Sequence, residues 1–275
     1  MARFIVVPQW QGSPSPRAMS LIDGAEMIAG DLPHSACHRV DVPVEAGESL
    51  GTGVLRASTL RRVASHTREE LEAFPDDHLI VVGGDAGVAV PAIAHASERY
   101  GDIAVVWFGA RGGLHSPETS PTGAFASMAL RAVLGDAPEG LRVEAGRVDA
   151  RCVILAGARD LDIAEEIYAD DSGIRSIAAA EIVAAIGEAV AATGASRVYV
   201  HVELDVLDPA HIEGVSSPQP FGVTSTDLVA AIAAVREALP LAGASLSGFA
   251  PRSADAGVAD MGTILRVIGA LAKAS

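Results

Sequence analysis

Aromatic side chains are scarce, at 4% of 275 residues. A core dominated by ring packing is therefore excluded. Ala, Val, Ile and Leu must fill it, and a hydrophobic fraction of 49% allows a large one. Cysteine is nearly absent: Cys37 and Cys152 make no disulfide framework, which fits a reducing compartment. Positive charge is also short, with 20 Lys and Arg against 35 Asp and Glu and a net charge of −15. Such a surface repels phosphate backbones and anionic lipid, so neither nucleic acid nor a membrane is expected as a partner. No apolar run is long enough to span a bilayer. The start, MARFIVVPQW, has one Arg and an apolar run from Phe4 to Pro8 that is too short for a signal-peptide core. A cytoplasmic protein is expected.

What is present is alternation. Short apolar runs predict strands over Arg3 to Val7, His78 to Val82, Asp102 to Trp107, Arg151 to Ala156, Arg197 to Leu204 and Ala244 to Phe249. Several are apolar at consecutive positions, as strands buried on both faces must be. Ala-rich stretches predict helices near Ala18 to Gly30, Thr59 to Ala73, Val88 to Tyr100, Phe125 to Leu134, Ile177 to Thr193, Ser225 to Leu239 and Met261 to Lys273. Ser225 to Asp227 offer N-cap chemistry and Gly194 a stop. This order predicts an α/β fold of three layers, α/β/α, around a mostly parallel sheet. No fixed repeat or low-complexity linker divides the chain, so residues 1–275 are expected to form one domain. Ligands of such sheets bind beyond the carboxyl ends of the strands.

Three segments at those ends stand out. GGDAG (Gly83 to Gly87) follows the second predicted strand, and GARGGLHSPETSPTG (Gly109 to Gly123) follows the third. The fifth runs into HVELDVLDP, His201 to Pro209. Residues two apart on a strand share a face, so Glu203 and Asp205 should point the same way. Two buried acids placed so need a metal, an Arg or Lys, or protons.

Taken in order, Gly-Gly-Asp, SPETSPTG, LDVLDP and SSPQPFGVT resemble the ureohydrolase family of arginases and agmatinases. So does ILAGARDLDIAEE (Ile154 to Glu166), in which Asp162 takes the place of an acid near the family's substrate. The similarity runs from VVPQWQGS to GFAPRSAD. It implies an arginase-like fold and hydrolysis of linear amidines by two manganese ions. A metal pair lowers the pKa of a bridging water and supplies hydroxide to a poor electrophile. The family's ligands are a His after Gly-Gly-Asp, an Asp-Ala-His-x-Asp turn and two acids in Asp-x-Asp-x-x-Asp-Pro.

The sequence departs from that pattern at nearly every ligand. Ala86 stands where the first His would be, and the metal turn reads Gly109, Ala110, Arg111, Gly112, Gly113. Only Glu203 and Asp205 keep acids. Ala126 replaces a catalytic His, and Gly248 a late Glu that contacts the guanidino group. Scaffold features such as Asp208-Pro209 still match. No metal and no cofactor are therefore expected. Arg111, with a permanent charge and five donors, is expected to reach Glu203 or Asp205 in place of the cations.

Candidate catalytic residues are Arg111, Glu203, Asp205 and His115. His115, Ser120, Thr122 and Asp162 are the candidate ligand contacts, the first three as a carboxylate-binding rim. Blander readings stand beside these: the two acids as relics neutralised by Arg111, and His115 as an exposed loop residue. GARGG could be an anion nest, HSACH (His34 to His38) has metal-like letters without partners, and GASLSG belongs to a strand. Asp85 is expected to fix a turn.

Three functional readings follow. One is a pseudoenzyme that binds a small amino-acid-like ligand or a partner subunit. Another is a metal-independent enzyme acting on a small amino-acid or guanidino compound, and an active manganese hydrolase is a third reading. The resemblance implies a homo-oligomer, with a hetero-oligomer containing an active homologue as a variant of it.

Overall fold

The computed structural model describes residues 2–273. Eight strands alternate with eight helices: β1 (Ala2–Val6), α1 (Ser20–Gly30), β2 (Cys37–Arg39), α2 (Ala57–Glu72), β3 (His78–Val82), α3 (Ala89–Tyr100), β4 (Ile103–Phe108), α4 (Ala129–Val133), β5 (Val153–Ala156), α5 (Ile163–Ser172), β6 (Arg175–Ile177), α6 (Ile182–Ala191), β7 (Arg197–Glu203), α7 (Ser225–Ala238), β8 (Leu241–Ser247) and α8 (Ala254–Ala272). The strands make one sheet in the order β2-β1-β3-β8-β7-β4-β5-β6, and every ladder is parallel.

Because side chains alternate across a strand, each strand feeds two cores. Ile80, Val82, Val106, Val200, Val202 and Leu246 pack on one face with residues of α1, α6, α7 and α8. Ile5, Val81, Val105, Trp107 and Tyr199 pack on the other with residues of α2, α3 and α4. This is a three-layer α/β/α arrangement. All six residues of β4 are buried, which is why its sequence is apolar without alternation.

Several expectations need correction. Strands β2 and β6 were not predicted; each has three residues and lies at a sheet edge, too short for a periodic signal. Helix α5 was missed because it buries only Glu165 and Ala169 while exposing Ile163 and Ile167, so it has no apolar stripe. The helix expected from Ile177 begins at Ile182, since Ile177 closes β6. The segment from Phe125 is a 3-10 turn to Met128 before α4 begins. The last helix starts earlier than expected, at Ala254, capped by Ser253. Strand β8 starts at Leu241 and excludes Phe249. The cap of α7 is Thr224, whose hydroxyl accepts from Asp227 N at 3.0 Å.

Since all strands run the same way, their carboxyl ends share one edge. In the middle of the sheet, β3, β8, β7 and β4 are neighbours, although the chain leaves β3 and β4 long before it makes β7 and β8. Gly83 to Asp85, Gly248, Glu203 to Asp205 and Gly109 to Gly113 therefore converge.

Candidate functional site

A cavity of about 410 Å³ opens over these four strand ends. Arg111, His115, Glu203 and Asp205 line it, as do Asp85, Glu165 and the serines Ser13, Ser127, Ser216 and Ser217. Strand β7 ends at Glu203, and a 3-10 turn from Leu204 to Val206 follows. That turn aims the Asp205 carboxylate at the segment after β4. Asp205 Oδ1 accepts from Ala110 N at 2.9 Å, so a backbone N–H of the GARGG turn serves the chain's own carboxylate.

Arg111 fills the centre of the former turn. Its Nη1 donates to Asp205 Oδ2 at 3.1 Å, its Nη2 donates to Ser217 O at 3.2 Å, and its Nε lies 3.2 Å from Asp160 Oδ2. The Asp205 side chain is 5% exposed and that of Arg111 is 35% exposed. Burial raises the Asp205 pKa from its ordinary value, against the pull of Arg111, the Ala110 N–H and Arg159. Glu203 differs in having no hydrogen-bond donor among the described residues. Burial, and then the neighbouring Asp205 charge, hold its pKa well above the usual carboxylate range, offset only in part by Arg111.

Arg159 and Asp160, which sequence reading passed over, secure this arrangement. The Arg159 guanidinium donates to the carbonyls of Gly157, Asp205, Val206, Leu207, Gln219 and Pro220. It stitches the acid-bearing turn to the loop after it. Asp160 accepts from Gln219 Nε2 at 2.6 Å as well as facing Arg111. Their only sequence signal was their place just after a strand. Asp85 fixes a turn: it accepts from Gly12 N, Gly87 N and Gln9 Nε2 at 2.8–2.9 Å. Burial nevertheless pushes its pKa up to about 6.

His115 is 6% exposed, which corrects the reading of it as an exposed loop residue. Its Nδ1 faces Thr119 Oγ1 at 3.2 Å, and its Nε2 lies 3.4 Å from Asp162 Oδ2 and 3.9 Å from Glu165 Oε2. Asp162 is the N-cap of α5 and forms a capping box with Glu165. Glu165, absent from the sequence-based site, is buried and accepts from Leu114 N at 3.0 Å. Gly112 packs closely beside it, since a Cβ there would lie 3.0 Å from Glu165 Oε1. Ser120 and Thr122 do not line the cavity. Ser120 Oγ accepts from Gly123 N and contacts Ser127 Oγ, and Thr122 accepts from Ala124 N on an exposed turn. Of the candidate ligand contacts, His115 is the one that lines the cavity.

The donor set does not fit a manganese pair. Ala86, Gly109 and Gly113 carry no ligand atoms, and both Asp205 oxygens are engaged by Ala110 and Arg111. Gly248 has a φ of +90°, so a side chain there, such as the family's Glu, is strained. Among the described residues the one cluster of three metal-type side chains is His115, Asp162 and Glu165, whose donor atoms lie within 4.8 Å of one another. Its acids are largely committed to capping α5. The HSACH segment contributes to no such cluster; His38 instead contacts Arg3 and stacks near Phe74. Among the described residues, no helix is long and apolar enough to cross a membrane.

Comparison with known proteins identifies relatives of this chain. A family model described as "Arginase family" matches residues 17–266. An arginase from Staphylococcus aureus strain MRSA252 is 26% identical over 206 residues, 71% of this chain and 67% of that protein. An arginase from Bacillus caldovelox is 30% identical over 201 residues, 67% of each. Against another Staphylococcus aureus arginase, that of strain COL, the matched stretch spans about half of that protein's length, 48%. The crystal structure of Entamoeba histolytica arginase in complex with L-ornithine superposes with a TM-score of 0.86 at 19% identity, covering 99% of this chain and 98% of that one. The match over nearly the whole chain, with a partial metal-ligand cluster in place of a full binuclear set, places this protein in the arginase family.

Proposed function

We propose that this arginase-family protein has no binuclear manganese chemistry and binds a small amino-acid-like ligand carrying a positive group. The pairing of Arg111 with Asp205 carries the reading. It engages one of the two remaining acids and leaves Glu203 without a donor. A carboxylate so placed takes up a proton or a cationic ligand group. The cavity holds four carboxylates, Asp85, Glu165, Glu203 and Asp205, against Arg111 and His115, so its charge favours a cation. That the Entamoeba relative was crystallised with L-ornithine supports a ligand of this class. The Glu203 end would take the cationic group, and His115 with Asp162 would face the amino-acid end. Arg111 then acts as the internal counter-charge. A cytoplasmic homo-oligomer, alone or joined with an active homologue, completes the proposal, and light scattering reads the assembly.

The test is titration calorimetry with L-ornithine, L-arginine and agmatine, alongside a urea assay and elemental analysis after manganese loading. Binding that Glu203→Gln weakens at least tenfold, without urea release, is expected. Two manganese ions per chain with urea production would overturn the proposal. A second reading rests on Glu203 itself, a carboxyl lining the cavity without a donor among the described residues, whose pKa burial and the Asp205 charge raise, as a general acid or base. It requires turnover of an amino-acid or guanidino compound in metal-free protein, lost in Glu203→Gln.

A further inference from the structure

A second cavity, of about 230 Å³, lies away from the carboxylates, between α2, α3 and the loop at Gly140 to Arg142. Its composition runs against the rest of the chain. In a protein with 35 acids and 20 bases, three arginines and no acid line it: Arg61, Arg68 and Arg142. Apolar residues, among them Val90 and Phe125, form much of the rest.

The arginines are not equally occupied. Arg68 donates to both oxygens of Glu98, at 3.0 and 2.9 Å. Arg142 donates to the Gly135 carbonyl at 3.1 Å and makes no ion pair among the described residues. Arg61 makes neither a hydrogen bond nor an ion pair among the described residues, and its Nε is shielded from solvent. The close packing of Gly140 explains the shielding, since a Cβ on Gly140 would lie 3.3 Å from that Nε. A guanidinium held against backbone with a buried, unused N–H is an incomplete arrangement. Its planar fork matches a carboxylate or phosphate. With a net charge of −15, the chain repels anions in general, so a locally acid-free basic pocket selects for one.

We propose that this cavity is a binding site for a small organic anion, with its carboxylate or phosphate on Arg61 and Arg142 and its apolar body against Val90 and Phe125. The volume lies below the roughly 300–1,000 Å³ of drug-sized sites, so the ligand is compact. The site is separate from the carboxylate-lined cavity. The Gln9 side chain, which lines the second cavity and donates to Asp85 of the first, stands between them.

Titration calorimetry with benzoate and phenyl phosphate, and with benzyl alcohol as the uncharged control, tests this. Both anions are expected to bind saturably, with affinity falling as NaCl is raised. Arg61→Gln and Arg142→Gln should each weaken them at least tenfold while circular dichroism stays native. Glu98→Gln, which frees Arg68, should strengthen binding. Glu203→Gln should leave it unchanged, which separates this site from the amino-acid ligand proposed above. Equal binding of benzyl alcohol, wild-type affinity in both arginine variants, or no binding at about 10 mM probe would overturn the proposal.

Discussion

Replacing Arg111 with Ala tests the charge balance of the site most directly. The variant leaves Asp205 buried with the backbone Ala110 N as the one remaining donor to its carboxylate among the described residues, and leaves Glu203 beside it. Breaking a fully buried ion pair costs about 3–5 kcal/mol. The Arg111 side chain is 35% exposed, so solvent screens part of the pair. A loss of about 1–3 kcal/mol at neutral pH is expected. For a chain of this size that lowers Tm by roughly 2–5 °C. The loss should depend on pH. Glu203 and Asp205 both have pKa values raised on folding, so the native state holds protons that the unfolded chain has released. Stability tied to them is present below their unfolded values and falls as pH rises through their folded values. Arg111 lowers both folded values, so its removal widens that window upward. The destabilisation should therefore be smaller near pH 4, close to the unfolded-state values of the two groups, and largest above neutrality. Urea denaturation of wild type and variant from pH 4 to pH 8 measures it. Equal stability at pH 8, or an equal loss across the series, would refute this reasoning.

Glu203→Gln removes a carboxylate that burial and Asp205 disfavour, so it should raise Tm at pH 8 and change it little at pH 4, as thermal unfolding at both values would record. Asp85→Asn puts an amide where Gly12 N, Gly87 N and Gln9 Nε2 need an acceptor, and a loss of about 1–3 kcal/mol in urea denaturation is expected. Asp162→Ala removes the cap of α5, with a cost of about 1 kcal/mol, and faster amide exchange at Ala164 and Glu165 is the local readout. Combining Ala86→His, Gly109→Asp, Arg111→His and Gly113→Asp should restore stoichiometric manganese by elemental analysis only with lost stability, because Gly113 has a φ of +64° and a Cβ there would lie 3.3 Å from Leu130 N.

Much of the fold was legible in residue pattern. Strands β3 and β4 are apolar over consecutive positions because helices cover both faces, and that signal survives without any partner being known. The elements that were lost lie at the margins. Strand β6 has three residues, two of them exposed, and α5 turns Ile163 and Ile167 outward, so neither shows the period of its type. The candidate site was legible in part for the same kind of reason. Glu203 ends β7 and Asp205 lies in the 3-10 turn beyond it, so the sequence marked both acids at a strand end while the turn, not strand spacing, aims Asp205. Ser120 and Thr122 stand in a turn, where spacing says nothing about direction, and both serve the turn itself.

By itself, the sequence determined the alternation of strands and helices, the edge of the sheet on which a ligand can sit, and the replacement of metal-ligand side chains by Ala, Gly and Arg. Tertiary structure alone decided what those replacements do. Arg111 and Asp205 are 94 positions apart, and Leu114 and Glu165 are 51 apart, yet hydrogen bonds join each pair. Such contacts depend on which strands are neighbours, and in this sheet β4 lies beside β7 although two other strands, β5 and β6, separate them in sequence order. Local preference fixes how each segment folds; only packing of the whole sheet fixes which charges meet.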